Sequence, residues 1–220
     1  MEIIIEPIIR QAAPGLKVVT IEADVDNSPT PQALIDELQA AAEKIKSTYE
    51  LSMINKRPAV AATRKAYKAL GKEPNRYRPS SEALCRRIVK DMGLYYINSL
   101  VDLINVVSIA SGYSIGGFDV DKISGDTLTL GAGREGEDFE GIGRGALNIA
   151  SMPVYRDMTG GVGTPTSDNE RTKLDLTTKR LLMCINIYGE EMPAEETVEL
   201  SKSLLKKYCN ATNLLVKIYE

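Results

Sequence analysis

One long segment with a single charge constrains the fold of this chain more than any other feature. Gly93–Phe118 contains only one charged side chain, Asp102. Lys, Arg, Glu and Asp are the residues that most often occupy a protein surface. A segment that almost lacks them is expected to be mostly buried or to line a cavity.

A strongly basic segment directly precedes this uncharged one. Lys56–Lys90 carries eleven Lys or Arg residues and only two acids, which gives a net charge of +9. The remaining residues together carry −12, so the whole-chain charge of −3 conceals the asymmetry. A local excess of cations points to a polyanionic partner. The residues predicted to contact RNA are Arg64, Arg78, Arg86 and Arg87.

A second interpretation of the basic segment stays open. The same cations could form the solvated faces of two amphipathic helices, partly paired with the acidic remainder of the chain. The sequence pI of about 5.3 lies well below the basic value typical of nucleic-acid-binding domains.

The absence of histidine excludes several kinds of chemistry. No Ser-His or Cys-His nucleophile pair can form within this chain, and no zinc site with a histidine ligand. Three widely spaced cysteines make a thiolate site improbable, and Asp119 and Asp121 would point to opposite faces of a strand. We therefore expect no metal and no cofactor. Catalysis would have to use carboxylates, Lys, Tyr, backbone dipoles or groups of the substrate.

The cellular location can be predicted from the same composition. The odd number of cysteines, without a CxxC pair, favours a reducing compartment. No apolar run approaches the roughly 20 residues that span a bilayer. Met1–Glu6 carries acids where a secretory signal carries bases. We expect a cytoplasmic location.

Hydrophobic periodicity and turn signals predict an α+β fold with a mixed β-sheet flanked by helices, in one domain spanning residues 1–220. Thr30 is the predicted N-cap of the first helix, and Ser80 or Ser81 that of the third. Predicted helices span Pro31–Tyr49, Pro58–Leu70, Ser80–Asp91, Asn98–Ala110 and Pro193–Cys209; predicted strands span Ile3–Ile5, Leu16–Val25, Tyr113–Val120, Thr127–Leu130, Met152–Arg156, Leu181–Tyr188 and Leu214–Tyr219.

The helix predicted at Asn98–Ala110 has an unusual polar face. Asn98, Asp102 and Asn105 lie on one side at spacings of four and three, opposite an apolar side formed by residues 100, 103, 104 and 107. A solvent-facing stripe would normally hold longer charged side chains. The stripe either lines a pocket, or Asn98 caps the helix while the other two anchor nearby backbone amides.

Two short motifs stand out between about Ala59 and Thr178, namely Val101-Asp102-Leu103-Ile104-Asn105 and Phe118-Asp119-Val120-Asp121. They are the most specific parts of a stretch that resembles the B-three/B-four module, the editing and tRNA-binding part of the phenylalanyl-tRNA synthetase beta subunit. This resemblance implies a mixed sheet flanked by helices and a pocket that hydrolyses tyrosine wrongly esterified to tRNA. The upstream residues 62–71 are more similar to free-standing members of the family.

Only some residues of this chain match the residues that form the editing pocket of the family. Asn105 matches an asparagine that lines the editing pocket, whereas Gly116 stands where the bacterial site has a histidine. The region 184–186 supplies no match for the pocket glutamate. Tyrosine-specific editing is therefore not implied. The predicted pocket residues are Asn98, Asp102, Asn105, Gly116, Gly117 and Asp119.

Two glycine-rich segments have less specific interpretations. Gly131–Gly136 satisfies the GxGxxG pattern, but acids follow it where a dinucleotide-binding helix should begin, so a simple turn is favoured. Gly160–Asp168 is polar and could be a lid over the pocket or a long surface loop, with the loop slightly favoured.

Together these features predict a domain that binds tRNA or aminoacyl-tRNA and could hydrolyse mischarged aminoacyl-tRNA in trans. As an enzyme it would be an ester hydrolase, not a complete aminoacyl-tRNA ligase. Two alternatives stay open. One is a module that binds an amino acid or similar small molecule without nucleic acid. The other is a protein-interaction domain that retains the fold alone.

Overall fold

Alternating apolar residues in two long strands place one β-sheet in the middle of the molecule. The computed structural model describes residues 1–220. Its strands are β1 Glu2–Ile5, β2 Lys17–Asp24, β3 Ser114–Asp119, β4 Thr127–Ala132, β5 Glu140–Gly141, β6 Gly145–Ala146, β7 Pro153–Arg156, β8 Gly161–Gly163, β9 Arg180–Ile187 and β10 Thr212–Tyr219. Its α-helices are α1 Pro7–Ala12, α2 Gln32–Thr48, α3 Pro58–Ala69, α4 Ser80–Val89, α5 Ser99–Ser111 and α6 Ala194–Cys209.

The strands form two four-stranded sheets and a short hairpin. The central sheet has the order β10-β2-β9-β3 and is antiparallel throughout. The second sheet has the order β1-β4-β7-β8 and is mixed, because β1 runs parallel to β4. Strand β3 lies at the edge of the central sheet, which leaves one side of its backbone free for other partners.

The central sheet contributes to two hydrophobic cores, one on each face. Along β2, Val19 and Ile21 belong to a core shared with α2, α4, α5 and α6. Val18 points the other way, into a smaller core shared with the second sheet, α1 and α3. Successive side chains of a strand point to opposite faces of the sheet, so adjacent residues of β2 enter different cores. The molecule is therefore layered as helices, central sheet and second sheet.

The predicted α+β class is confirmed, and most predicted elements occur within a few residues of their expected bounds. The sheet is divided in two, and α1, β5, β6 and β8 were not predicted. None of the six α-helices has both the length and the hydropathy required to cross a membrane.

Two predicted helix caps are wrong. The residues at the N-cap positions of α2 and α4 are Pro31 and Pro79, and neither helix has a side-chain cap. Ser80 and Ser81 are instead the first helical residues of α4. Asn98 does cap α5, as one of its two interpretations requires, and Asn210 ends α6 in the left-handed conformation.

Candidate ligand-binding and nucleic-acid interface

A cavity of about 600 Å³ lies between α5, the edge strand β3 and the segment 164–176. We call it the inner cavity. Its wall on the α5 side is formed by Asn98, Val101, Ile104, Asn105 and Ser108. The uncharged segment predicted to be buried or to line a cavity therefore does line one.

The ends of α5 explain why this helix presents such a face. Asn98 caps the N-terminus by accepting a hydrogen bond from the Val101 N–H at 3.0 Å. Its amide also donates to the Leu174 carbonyl at 3.4 Å, which joins the helix to the opposite wall. Gly112 stops the helix with a left-handed φ of 78°. Both interpretations of Asn98, as a cap and as a cavity residue, are correct.

Asp102 does not line the inner cavity, although it was predicted to do so. Its carboxyl is fully buried, and Oδ2 accepts hydrogen bonds from the Thr30 hydroxyl at 2.6 Å and the Ile97 N–H at 3.1 Å. Its Oδ1 has no hydrogen-bond partner of regular geometry. Burial raises the pKa of Asp102, while the bonds from Thr30 and Ile97 and the Asn105 amide act in the opposite direction. Asp102 therefore anchors the segment before α2 onto α5.

The three predicted pocket residues of β3 lie in three different surroundings. Gly117 lines the inner cavity, where an added Cβ would lie 2.7 Å from Ile104 Cδ1. Gly116 faces the smaller core, where a Cβ would meet the Phe118 ring at 2.5 Å. Asp119 is buried outside the cavity and accepts a hydrogen bond from the Thr178 hydroxyl at 2.9 Å. Only Gly117 of these three is placed to approach a ligand.

Asp168 is the cavity residue that sequence reasoning missed. It lines the inner cavity, and its Oδ2 accepts a hydrogen bond from the Gly117 N–H at 3.1 Å, on the free side of the edge strand. Burial raises the pKa of Asp168 from 3.8 to about 7, while the bond from Gly117 lowers it. No local pattern in the sequence marks this residue, because only tertiary packing brings it to β3.

The segment that ends at Asp168 is neither a surface loop nor a lid. Gly161–Thr166 is buried throughout, and Gly161–Gly163 is strand β8. The Thr164 hydroxyl accepts hydrogen bonds from the backbone N–H groups of Thr166 and Ser167, which fixes the turn. This segment is a fixed inner wall of the cavity.

A second cavity of about 500 Å³ opens beside the first, and we call it the basic cavity. Six cations and no acid contribute to its lining. The two cavities share Ser80, Leu84 and Asn105. The predicted RNA-binding residues Arg78, Arg86 and Arg87 line the basic cavity, together with Arg76, Lys90 and Arg144, which were not predicted.

Arg64, the fourth predicted RNA contact, lines neither cavity. Its guanidinium donates to the buried carboxylate of Glu82 at 2.8 Å and to the Asn75 side chain at 2.6 Å. Glu82 also lies 3.9 Å from Arg86 and 4.0 Å from Arg78. Glu82 therefore joins a structural arginine to two arginines of the basic cavity.

Two further cations of the basic segment are also used inside the protein. The Arg57 guanidinium is buried and bonds to Glu191 at 2.7 Å and to the Ile109 carbonyl at 3.0 Å. Lys72 donates to the carbonyls of Asn148 and Ala150, each at 2.8 Å. The basic segment thus combines internal cations with cations that face a cavity, and neither initial interpretation describes all of it.

The first residues of the uncharged segment are exposed, contrary to prediction. Tyr95 is 68% exposed, and the neighbouring Tyr96 and Ile97 are also exposed. The Arg87 guanidinium lies 4.3 Å from the centre of the Tyr95 ring. Met92 lines the basic cavity and Ile97 lines the inner cavity, so the two ends of this apolar strip reach the two cavities.

The acidic and cysteine side chains and the GxGxxG segment do not form a ligand site. The structure brings together no group of three or more Cys, Asp or Glu side chains that could hold a metal ion. The GxGxxG segment begins in β4 and continues as a turn; its Gly133 N–H donates to the Met152 carbonyl at 2.7 Å, and no helix follows it. A dinucleotide site is therefore absent there.

The fold is a helical layer on a central sheet, and its candidate site is a mostly uncharged inner cavity beside a basic cavity. The family model described as the B3/4 domain matches residues 62–203. This match covers more than half of the chain, so the chain belongs to the B3/4 domain family.

Individual relatives are beta subunits of phenylalanine–tRNA ligase. The proteins from Bartonella henselae and Bartonella quintana are 36% and 35% identical to this chain over 94 residues. The aligned part is 42% of this chain but only 12% of each relative. An N-terminal fragment of the phenylalanyl-tRNA synthetase beta-subunit from Pyrococcus horikoshii aligns with 99% of this chain and 50% of that fragment, with a TM-score of 0.47 and 12% identity.

Proposed function

We propose that this protein binds the acceptor end of an aminoacyl-tRNA. The observation that carries the proposal is the junction of two cavities with different chemistry. The basic cavity offers six cations to phosphates, and the inner cavity offers a mostly uncharged space, lined in part by amide side chains, to an aminoacyl group. Phosphate contacts supply much of the affinity in nucleic-acid binding, whereas an enclosed apolar pocket selects a side chain.

We further propose that the bound ester is hydrolysed in trans. Water would attack the carbonyl carbon, and the bond between that carbon and the ribose oxygen would break, leaving a free amino acid and tRNA. An aminoacyl ester is already activated, so a water molecule positioned by backbone amides and the vicinal ribose hydroxyl can suffice. Asn105 supports this arrangement because it lines both cavities, at the point where the ester would lie.

Deacylation of a panel of mischarged tRNAs tests the hydrolytic part. We expect the purified protein to accelerate release of at least one amino acid over the spontaneous rate. An Asn105→Leu variant, similar in size but without the amide, should lose most of that acceleration. Equal rates with and without the protein across the whole panel would contradict hydrolysis while leaving binding untouched.

Salt dependence of tRNA binding tests the basic cavity. The double variant Arg76→Gln/Lys90→Gln removes two cations of its lining. Each lost phosphate contact should reduce the slope of log affinity against log salt by about one unit, so a decrease of about two is expected. Lys44→Gln, an exposed site on α2 outside both cavities, serves as the control and should leave the slope unchanged. An unchanged slope in the double variant would show that the basic cavity does not contact the tRNA.

A module that binds a small amino-acid ligand without nucleic acid is the second candidate. The inner cavity alone supports it, because its volume of about 600 Å³ falls within the range of small-molecule sites. Saturable binding of an amino acid, without measurable affinity for tRNA, would favour this candidate. A cytoplasmic location remains part of the proposal, and three buried, free thiols are compatible with it.

A further inference from the structure

Three carboxylates line the inner cavity, and only one of them lacks a cationic partner. Glu170 forms an ion pair with Lys173, and Asp175 forms one with Lys122 at 2.6 Å. Asp168 has no ion pair with any Lys or Arg of the chain, and its only side-chain hydrogen bond comes from the Gly117 N–H. This acid is therefore left without the partner that its neighbours have.

The surroundings of Asp168 make an ionised carboxyl unfavourable in the free protein. The backbones of Gly116 and Gly163 leave space for it, since a Cβ on Gly163 would lie 2.8 Å from Asp168 Oδ1. Burial of an acid without a cation favours the neutral form, and the pKa of Asp168 is accordingly raised. A ligand that brings a positive charge and several N–H donors would supply what this site lacks.

We propose that Asp168 binds the primary ammonium group of an amino-acid-derived ligand, namely the α-ammonium of the aminoacyl group. This assignment rests on the proposed function, because it concerns the same inner cavity. The carboxylate would fix one end of the aminoacyl group, while the junction at Asn105 receives the ester. The contact requires a free amine, so the site would discriminate against acyl groups that lack one.

A purely architectural role is the competing explanation. Asp168 satisfies an N–H on the free side of edge strand β3, and that bond could be its whole purpose. Asp168→Asn separates the two roles, because the amide oxygen still accepts from Gly117 but the negative charge is lost. Asp138→Asn, at an exposed position outside the cavity, is the matched control.

The experiment compares two non-hydrolysable ligands by equilibrium dialysis at pH 7. One is a panel of 3′-aminoacylamino-3′-deoxyadenosines, and the other is the isosteric panel in which an α-hydroxyl replaces the α-ammonium. The wild type and Asp138→Asn should bind at least one ammonium ligand roughly tenfold or more tightly than its hydroxyl isostere. Asp168→Asn should bind the two members of that pair about equally.

Several results would overturn the assignment. These are equal affinity of the wild type for both members of every pair, no binding of either member, or a preference that survives in a folded Asp168→Asn variant. Equal affinity of the wild type for both members refutes the assignment even if that variant does not fold. If tRNA binding persists without ammonium preference, the ammonium contact fails and the proposed function stands. If the preference occurs without tRNA binding, the contact stands and the nucleic-acid function fails.

Discussion

At the scale of single residues, Thr30 shows how a tertiary contact can replace a local one. Its hydroxyl was predicted to cap α2, but it donates to the buried Asp102 carboxylate at 2.6 Å. The cap would have satisfied one backbone N–H, whereas the observed bond satisfies an acid that has few other donors. The hydroxyl therefore belongs to the support of α5 and the cavity wall.

Removal of this hydroxyl should destabilise the protein. Thr30→Val keeps the shape of the side chain but leaves Asp102 Oδ2 with one donor fewer. We expect the free energy of unfolding to fall by about 1–3 kcal/mol, the usual cost of leaving a buried polar group unsatisfied. Urea denaturation measures it, and Thr30→Ser, which keeps the hydroxyl, should lose much less. Equal losses in the two variants would show that the hydroxyl bond to Asp102 contributes no more to stability than the methyl group does.

Asp168 should make stability depend on pH. Its pKa is about 7 in the folded protein and near 3.8 when unfolded, so its stabilising contribution is complete below pH 3.8 and is lost as pH rises to 7. Relative to wild type, Asp168→Asn should gain on the order of 2 kcal/mol in unfolding free energy between pH 4 and pH 8. Urea denaturation at both pH values tests this, since other titrating groups cancel in the difference. A difference that does not change with pH would refute the raised pKa.

The sequence could identify some cavity residues and not others for a physical reason. Asn98 and Asn105 could be found because the period of a helix places them on one face. Asp168 could not, because its position depends on how β8 and the following turn meet β3. Gly116 was misplaced because adjacent residues of β3 face opposite sides of the sheet, and Gly117 is the one that lines the cavity. Asp119 lies beyond the cavity at the end of β3, where it accepts a hydrogen bond from Thr178.

At the scale of elements, α4 depends on a buried acid. Glu82 has a side chain that is 2% exposed, and it pairs with Arg64 at 2.8 Å from the neighbouring helix α3. The same carboxylate lies within 4.0 Å of two arginines of the basic cavity. The position of those arginines therefore depends on an internal negative charge.

Glu82→Gln should destabilise the protein and weaken tRNA binding. The amide can still accept a hydrogen bond, but Arg64 loses its buried counter-ion. We expect a loss of about 3 kcal/mol in unfolding free energy, at the lower end of the cost of breaking a buried ion pair. Glu199→Gln disrupts the exposed pair with Lys202 and should cost much less, because solvent screens that pair. If urea denaturation gives similar losses of unfolding free energy for the two variants, the buried Glu82 pair contributes no more to stability than an exposed ion pair.

Long elements were predicted more successfully than short ones. Helices α2, α3, α5 and α6 carry a clear apolar period and recognisable ends, so their existence followed from local signals. Helix α1 has six residues, and β5, β6 and β8 have two or three, which is too short for any period to emerge. Their formation depends on tertiary contacts, because β8 pairs with β7 of the second sheet, β5 pairs with β6, and α1 packs in the smaller core.

At the scale of the whole molecule, the central sheet connects the two hydrophobic cores. Residues 181, 183 and 185 of β9 pack in the larger core, and residues 182 and 184 pack in the smaller one. Neither core can lose β2 or β9 without disrupting the other. On this basis we propose that residues 1–220 form a single domain.

A single domain should unfold in one transition. Far-ultraviolet circular dichroism reports mainly on the helices around the larger core. Tyrosine fluorescence reports on both cores, because Tyr113 lies in the larger and Tyr155 and Tyr188 lie in the smaller. The two urea midpoints should coincide within error. Two separated transitions would divide the chain into independent folding units.

The chain has no imidazole group, so Asp168, with its raised pKa, is one of few groups in the protein expected to titrate near neutrality. Ordinary carboxyl and lysine groups titrate well outside this range. If an ammonium ligand fixes Asp168 in its ionised form, complex formation just below pH 7 should release part of a proton to the buffer. Calorimetric heats of binding, measured in buffers of different ionisation enthalpy, would then report the number of protons released when the ligand binds.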